Sequence, residues 1–140
     1  MTPGVVKRAA IDSNVLVYAI AGSGSKRRQA KAAIARGRIV PSQALNETAH
    51  VLRRKAGMEL SEIGAALEVI RGMLRVAPLS GSTHALALEI AQETGYSIWD
   101  ASILAASIEA GCDELTSEDM QDGRDVRGTV IQNPFVEQMK

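Results

Sequence analysis

The chain has 140 residues, 46% hydrophobic but only 3% aromatic, with 16 basic and 16 acidic residues and a formal net charge of zero. That length suits a single domain over residues 1–140, with a core of Ala, Leu, Ile and Val that favours helices packed on a small sheet. No apolar run approaches the ~18 residues of a membrane span, a neutral total argues against broad coating of nucleic acid, and the one cysteine, Cys112, cannot make an internal disulfide, which fits a cytoplasmic location.

Residues 1–8 read as a polar lead-in, and the faint likeness of Lys7 to Ala21 to a signal peptide is broken by Asp12 and Asn14. Ala9 to Ile11 is a buried strand ended by Asp12, and Ser13-Asn14 opens a helix through Ile20. After the flexible Gly22-Ser23-Gly24-Ser25, Lys26 to Arg36 is a basic helix. Arg38 to Val40 is a second strand, closed by Pro41. Helices follow over Ser42–Lys55 and Glu59–Leu74, then a third strand at Arg75–Ala77. Two more helices span about Gly81–Glu93 and Ile98–Ala110, with Gly111 at the C-terminus of the second. Glu114–Thr116 is a fourth strand, Ser117–Gly123 a loop and Thr129–Gln132 a fifth strand. Short apolar strands alternating with helices imply a mostly parallel sheet covered on both faces.

Ligands in open α/β sheets sit beyond the carboxyl ends of the strands. Asp12 ends the first strand, Ser117, Glu118 and Asp119 follow the fourth, and Glu47 and Asp100 lie in early helical turns. These carboxylates are expected to converge. Asp100 also has a simpler explanation, because Ser97 and Asp100 have the spacing of a capping box and an acid near a helix N-terminus is favourable. Gathered carboxylates repel one another unless something positive compensates, and all-oxygen donors suit magnesium or manganese. Competing centres are absent: there is no Cys-x-x-Cys, no His-Glu-x-x-His and no glycine-rich phosphate loop.

Other polar residues carry less. His50 follows Glu47 by three positions, but the paired Glu-x-x-His of carboxylate-bridged metal bundles is missing, since His84 has Gly81 three positions before it. Both histidines read as structural or exposed, and Cys112 as a small buried thiol. Residues 1–70 carry 11 Lys+Arg against 5 Asp+Glu, a net of +6, and residues 71–140 the reverse, a net of −6. The basic clusters Lys26-Arg27-Arg28-Lys31 and Arg53-Arg54-Lys55 are either solvated helix faces or phosphate contacts.

Four segments together resemble a PIN-domain ribonuclease, specifically the VapC-type toxins of toxin–antitoxin pairs. They are Ile11 to Ala19 (with Ser13 where the family more often has Thr), Ser42 to Glu47, Ser97 to Ala101, and Leu115 to Gly123. The resemblance implies a three-layer α/β/α fold around a five-stranded parallel sheet. It implies a magnesium- or manganese-dependent endoribonuclease that hydrolyses RNA phosphodiester bonds and is held inactive by a cognate antitoxin. Matched position by position, Asp12, Glu47, Asp100 and Asp119 are the catalytic and metal-binding acids, with Ser13 and Ser117 as hydroxyls that orient carboxylates or water. Glu118 and Asp122 stay open as alternatives for the fourth position, while Asp113 and Glu114 should point away from the site. The helices over residues 42–74 carry more apolar surface than a small sheet need bury, so part of it is expected to form a groove for an amphipathic antitoxin segment. The competing expectation is a non-catalytic RNA-binding or interaction module whose acids cap helices; self-association into a homodimer is left open.

Overall fold

The computed structural model describes residues 7–135, so most of the expected polar lead-in, residues 1–6, lies outside the described residues. The elements run β1 (Ala9–Ile11), α1 (Ser13–Ala21), α2 (Gly24–Arg36), β2 (Ile39–Pro41), α3 (Ser42–Arg54), α4 (Leu60–Met73), β3 (Arg75–Ala77), α5 (Gly81–Thr94), α6 (Ile98–Glu109), β4 (Glu114–Thr116), β5 (Asp125–Val126) and β6 (Thr129–Gln132). All strands lie in one sheet, in the order β3-β2-β1-β4-β6-β5. The fold is the expected α/β sandwich, but its sheet has six strands, not five. The first five in that order are parallel, and the sixth, β5, is a two-residue antiparallel edge.

β5 forms because Arg127 and Gly128 take positive φ values of 52° and 94°, a left-handed pair that turns the chain tightly from Val126 back to its partner Thr129. Arg127 tolerates this strained conformation while its guanidinium pairs with Glu89 and Glu93 of α5.

The chain winds outward from β1 through β2 to β3, then returns to place β4 on the other side of β1. The reversal makes the gap between β1 and β4 the topological switch point of the sheet. Ile11 is in register with Thr116, and the Asp12 N–H donates to the Thr116 carbonyl at 3.0 Å, so the residues that follow these strands emerge side by side.

α6 is the central helix. Residues Ala101 to Ser107 are buried without a break, and the Ser102 and Ser107 hydroxyls satisfy themselves on the carbonyls four residues back, at 2.7 and 2.8 Å. α5 packs along α6, α1 against α2, and α3 touches α1, α4 and α6. Gly37, between α2 and β2, is required by close approach: a Cβ there would stand 2.8 Å from the Ile11 side chain. Among the described residues, no helix is long and apolar enough to cross a membrane.

Leu104 is fully buried on α6. Leu104→Ala is expected to cost about 2–5 kcal/mol through lost burial and the cavity left behind; chemical denaturation measures it.

Candidate functional site

The site is built at the switch point. Asp12, only 1% exposed, caps α1. Its Oδ1 accepts the Ser13 N–H at 2.6 Å, and its Oδ2 accepts the Ser117 hydroxyl at 2.7 Å from the loop after β4. Asn14 ties the same two segments together: its amide nitrogen lies 3.4 Å from both Asp12 Oδ2 and Ser117 Oγ, and its Oδ1 accepts the Glu118 N–H at 3.1 Å. Expected only as a helix-start residue, Asn14 is also a clamp.

Glu47 comes from α3, half-buried. The Ser13 hydroxyl stands 3.1 Å from Glu47 Oε1 and 3.3 Å from Asp12 Oδ1, so its single proton serves one carboxylate at a time. Gln43 donates to the other Glu47 oxygen at 3.2 Å. Asp100 sits in the first turn of α6, whose cap is Ser97: the serine oxygen accepts the Asp100 N–H at 3.1 Å. The reciprocal half of a capping box, Asp100 carboxylate to Ser97 N–H, is absent among the described residues. The carboxylate instead lines a cavity of about 690 Å³ together with Asp119, Trp99 and the Gln43, Asn46, Glu47 and His50 side of α3.

The alternatives for the fourth acid are occupied elsewhere. Glu118 forms an ion pair with Lys26 at 2.6 Å and accepts the Tyr18 hydroxyl at 2.9 Å. Asp122 accepts the Asn133 N–H at 2.8 Å. Asp119, exposed, faces the cavity. Asp113 accepts the Arg8 N–H, and Glu114 pairs with Lys7, both at the opposite edge of the sheet. Cys112 is buried, which pushes its thiol up to about 11.

Charge accumulates without relief. Among the described residues, none of Asp12, Glu47, Asp100 and Asp119 forms an ion pair with Lys or Arg. Burial is the main cause that pushes the Asp12 carboxyl up to about 7; the hydrogen bonds from Ser117 and Ser13 oppose it, and Asp100 and Glu47 add to it. Asp100 is raised by burial, then by Asp119 and Glu47. The acids thus feel one another, yet no three acidic, His or Cys side chains among the described residues stand close enough to share one ion as they are. In donor chemistry the set fits a hard cation. Among the described residues, nothing donates a hydrogen bond to the Asp100 or Asp119 carboxylate, so their rotation into a tighter set breaks no such contact.

Sequence reasoning gave no site role to Gln43, Asn46, His50 or Trp99. The first three were accessible in principle, because positions 43, 46, 47 and 50 share one helical face with Glu47. Trp99 adjoins Asp100, but nothing in the local pattern signals that its ring is 61% exposed.

The raised Asp12 group has a consequence for stability. The folded protein keeps a proton that the unfolded chain, at 3.8, has released, so metal-free stability falls as pH rises between about 4 and 7. The difference between 3.8 and about 7 sets a ceiling of roughly 4 kcal/mol. Thermal melts in EDTA at pH 5 and pH 8 should show the lower midpoint at pH 8. Asp12→Asn should flatten most of this dependence and raise the pH 8 midpoint.

A family model of the PIN domain matches residues 9–125. A toxin–antitoxin complex from Klebsiella pneumoniae is similar in fold, with TM-score 0.70 at 18% identity, covering 91% of this chain and 98% of that one. VapC20 of Mycobacterium tuberculosis, a sarcin–ricin loop cleaving toxin, gives TM-score 0.66 at 19% identity, covering 79% and 89%. VapBC2 from Rickettsia felis, bound to a DNA fragment from its promoter, gives 0.65 at 14% identity, covering 89% and 97%. No curated protein matches the chain. With its sheet order, its acids at the switch point and a family match over most of its length, the chain belongs to the PIN domain family.

Proposed function

We propose that this protein is a magnesium- or manganese-dependent endoribonuclease of the VapC kind, acting on RNA phosphodiester bonds in the cytoplasm and neutralised by a cognate antitoxin. The observation that carries the proposal is the gathering of Asp12, Glu47, Asp100 and Asp119 at the switch point with no Lys or Arg paired to them among the described residues. Two solved relatives lend support: one is a toxin that cleaves the sarcin–ricin loop, another a toxin–antitoxin complex. A non-catalytic module would explain Asp12 as a helix cap, but it leaves the uncapped carboxylate of Asp100 and the free one of Asp119 without a purpose.

In this proposal the four acids hold the ion. When bound, the ion would neutralise charge developing on the phosphoryl oxygens and lower the pKa of a water. Asp12 is the fixed point, pinned by Ser13, Ser117 and Asn14. Glu47 is held by Gln43 and Ser13 with one edge to the cavity, which suits it to orient water or accept its proton. Asp119, the most exposed, adapts to the substrate.

Part of the apolar surface of α3 and α4 is open, as this reading requires. Leu52, Ile63, Leu67 and Leu74 are core and Val51 lines the acidic cavity, whereas Ile70 and Met73 border an apolar groove. The apolar groove, about 390 Å³, lies between α4 and the α1–α2 pair and is lined by Ile20, Val69 and Met73, with Arg27 and Lys31 at hand. An amphipathic helix with an apolar stripe and acidic flanks fits such a surface.

Three outcomes are expected. Manganese or magnesium at about 100 times its dissociation constant should stabilise the fold by roughly 2.7 kcal/mol, a shift that matched sodium chloride does not reproduce and that Asp12→Asn abolishes. Asp100→Asn should lose RNA cleavage while its metal-free stability stays level or rises, whereas a purely capping Asp100 would retain activity and lose up to about 1 kcal/mol. Val69→Glu should weaken binding of the cognate antitoxin by about tenfold or more, with thermal stability changed by less than about 0.5 kcal/mol.

A further inference from the structure

Trp99 is the only tryptophan in the chain, and 61% of it is exposed. Its ring lines the cavity that holds Glu47, Asp100 and Asp119, so a large apolar face and the candidate acids share one cleft. Its position is fixed: it stands in the first turn of α6, next to Asp100, on a helix whose following residues from Ala101 to Ser107 are all buried. The same cavity is lined by one face of α3, with Gln43, Asn46, Glu47 and His50. Gln43 is engaged by Glu47. Among the described residues, the Asn46 and His50 side chains make no hydrogen bond, so an amide and an imidazole are free in the cleft that the indole lines.

We infer that Trp99 is a stacking platform for a nucleobase of the RNA. The inference rests on the ribonuclease proposal and gives Trp99 a part in positioning its substrate. Three features of the cleft favour a base over other occupants. The lining acids repel phosphate but not a neutral ring, so the base is the part of the nucleotide that can lie deepest without a counter-ion. Stacking on an indole needs no particular base identity and is unavailable to a base held in a duplex. The free Asn46 and His50 can meet the edge of a base whose face lies on Trp99. Arg54, exposed and in no ion pair among the described residues, lies seven residues beyond Glu47 on the same helical face, where a flanking phosphate would pass.

Because Trp99 is the sole tryptophan, its fluorescence reports on this contact directly. Wild-type protein in EDTA would be titrated with a single-stranded RNA oligonucleotide, the same strand made abasic at each position in turn, and the matching duplex. The expected result is saturable quenching by the intact strand, loss of quenching for at least one abasic position, and little response to the duplex. In cleavage assays with manganese, Trp99→Ala should raise KM on the order of tenfold with little change in kcat, and Trp99→Phe should recover most of the loss. The melting temperature of both variants should match wild type, since the ring is not in the core.

Equal quenching by every abasic strand, or an unchanged KM in Trp99→Ala, overturns the inference. So does a blue shift of emission that grows with protein concentration and ignores RNA, which would make this face a contact between copies. Wild-type cleavage without Trp99 quenching defeats the stacking role alone. Base-dependent quenching with no cleavage under either metal defeats the ribonuclease proposal and leaves a single-strand binding site.

Discussion

The structure depends on a carboxylate buried at the end of its central strand. Asp12 is removed from water between β1, α1 and the loop after β4, with no cation beside it among the described residues. An isolated buried charge is costly, and what makes this one tolerable is a set of donors from two short segments. Ser13 offers a backbone N–H and a shared hydroxyl, Ser117 a hydroxyl, and Asn14 an amide. Each donor lies within three residues of a strand end, so strand register and carboxylate geometry are one constraint. Shifting β4 by a residue against β1 would take Ser117 away from Asp12 and turn its loop inside out.

Much of this was readable from the chain. The helices and the parallel strands fall within a residue or two of their expected bounds, because Gly, Pro and Ser punctuate apolar runs that have one plausible period each. β5 was not readable, since two residues carry no period and Arg-Gly is a weak turn signal whose left-handed arginine depends on distant Glu89 and Glu93. In the candidate site, the four acids stood out because they end strands or begin helices. What chooses among Glu118, Asp119 and Asp122 is tertiary: Lys26 and Tyr18 claim the first, and the Asn133 backbone claims the last. Likewise, which face of α4 stays bare depends on where α3 and β3 pack against it, and no pattern within α4 encodes that.

The neutral total charge conceals a separation. Lys7, Arg8, Arg38 and Arg75 line a cleft at the edge where the parallel strands begin, while the acids collect where they end. The one lysine of α2 with access to the acidic rim is spent on Glu118, whose ring partner Tyr18 also lies under the ammonium group. Relief of the acidic cluster is thereby left to protons or to an added cation.

The two outer strands of the sheet carry a further consequence. β5 is only two residues long, and it opens on Asp125, whose carboxylate is already drawn back to the Gly128 N–H at 2.8 Å. At the opposite border, β3 is three residues long, begins with an exposed arginine and is followed at once by Pro78. Neither border offers a long run of unpaired backbone groups on which a foreign strand could extend the ladder. A chain with so few aromatics and so much aliphatic surface is thus guarded at both margins against growing into fibrils, by brevity and charge and not by an added covering element.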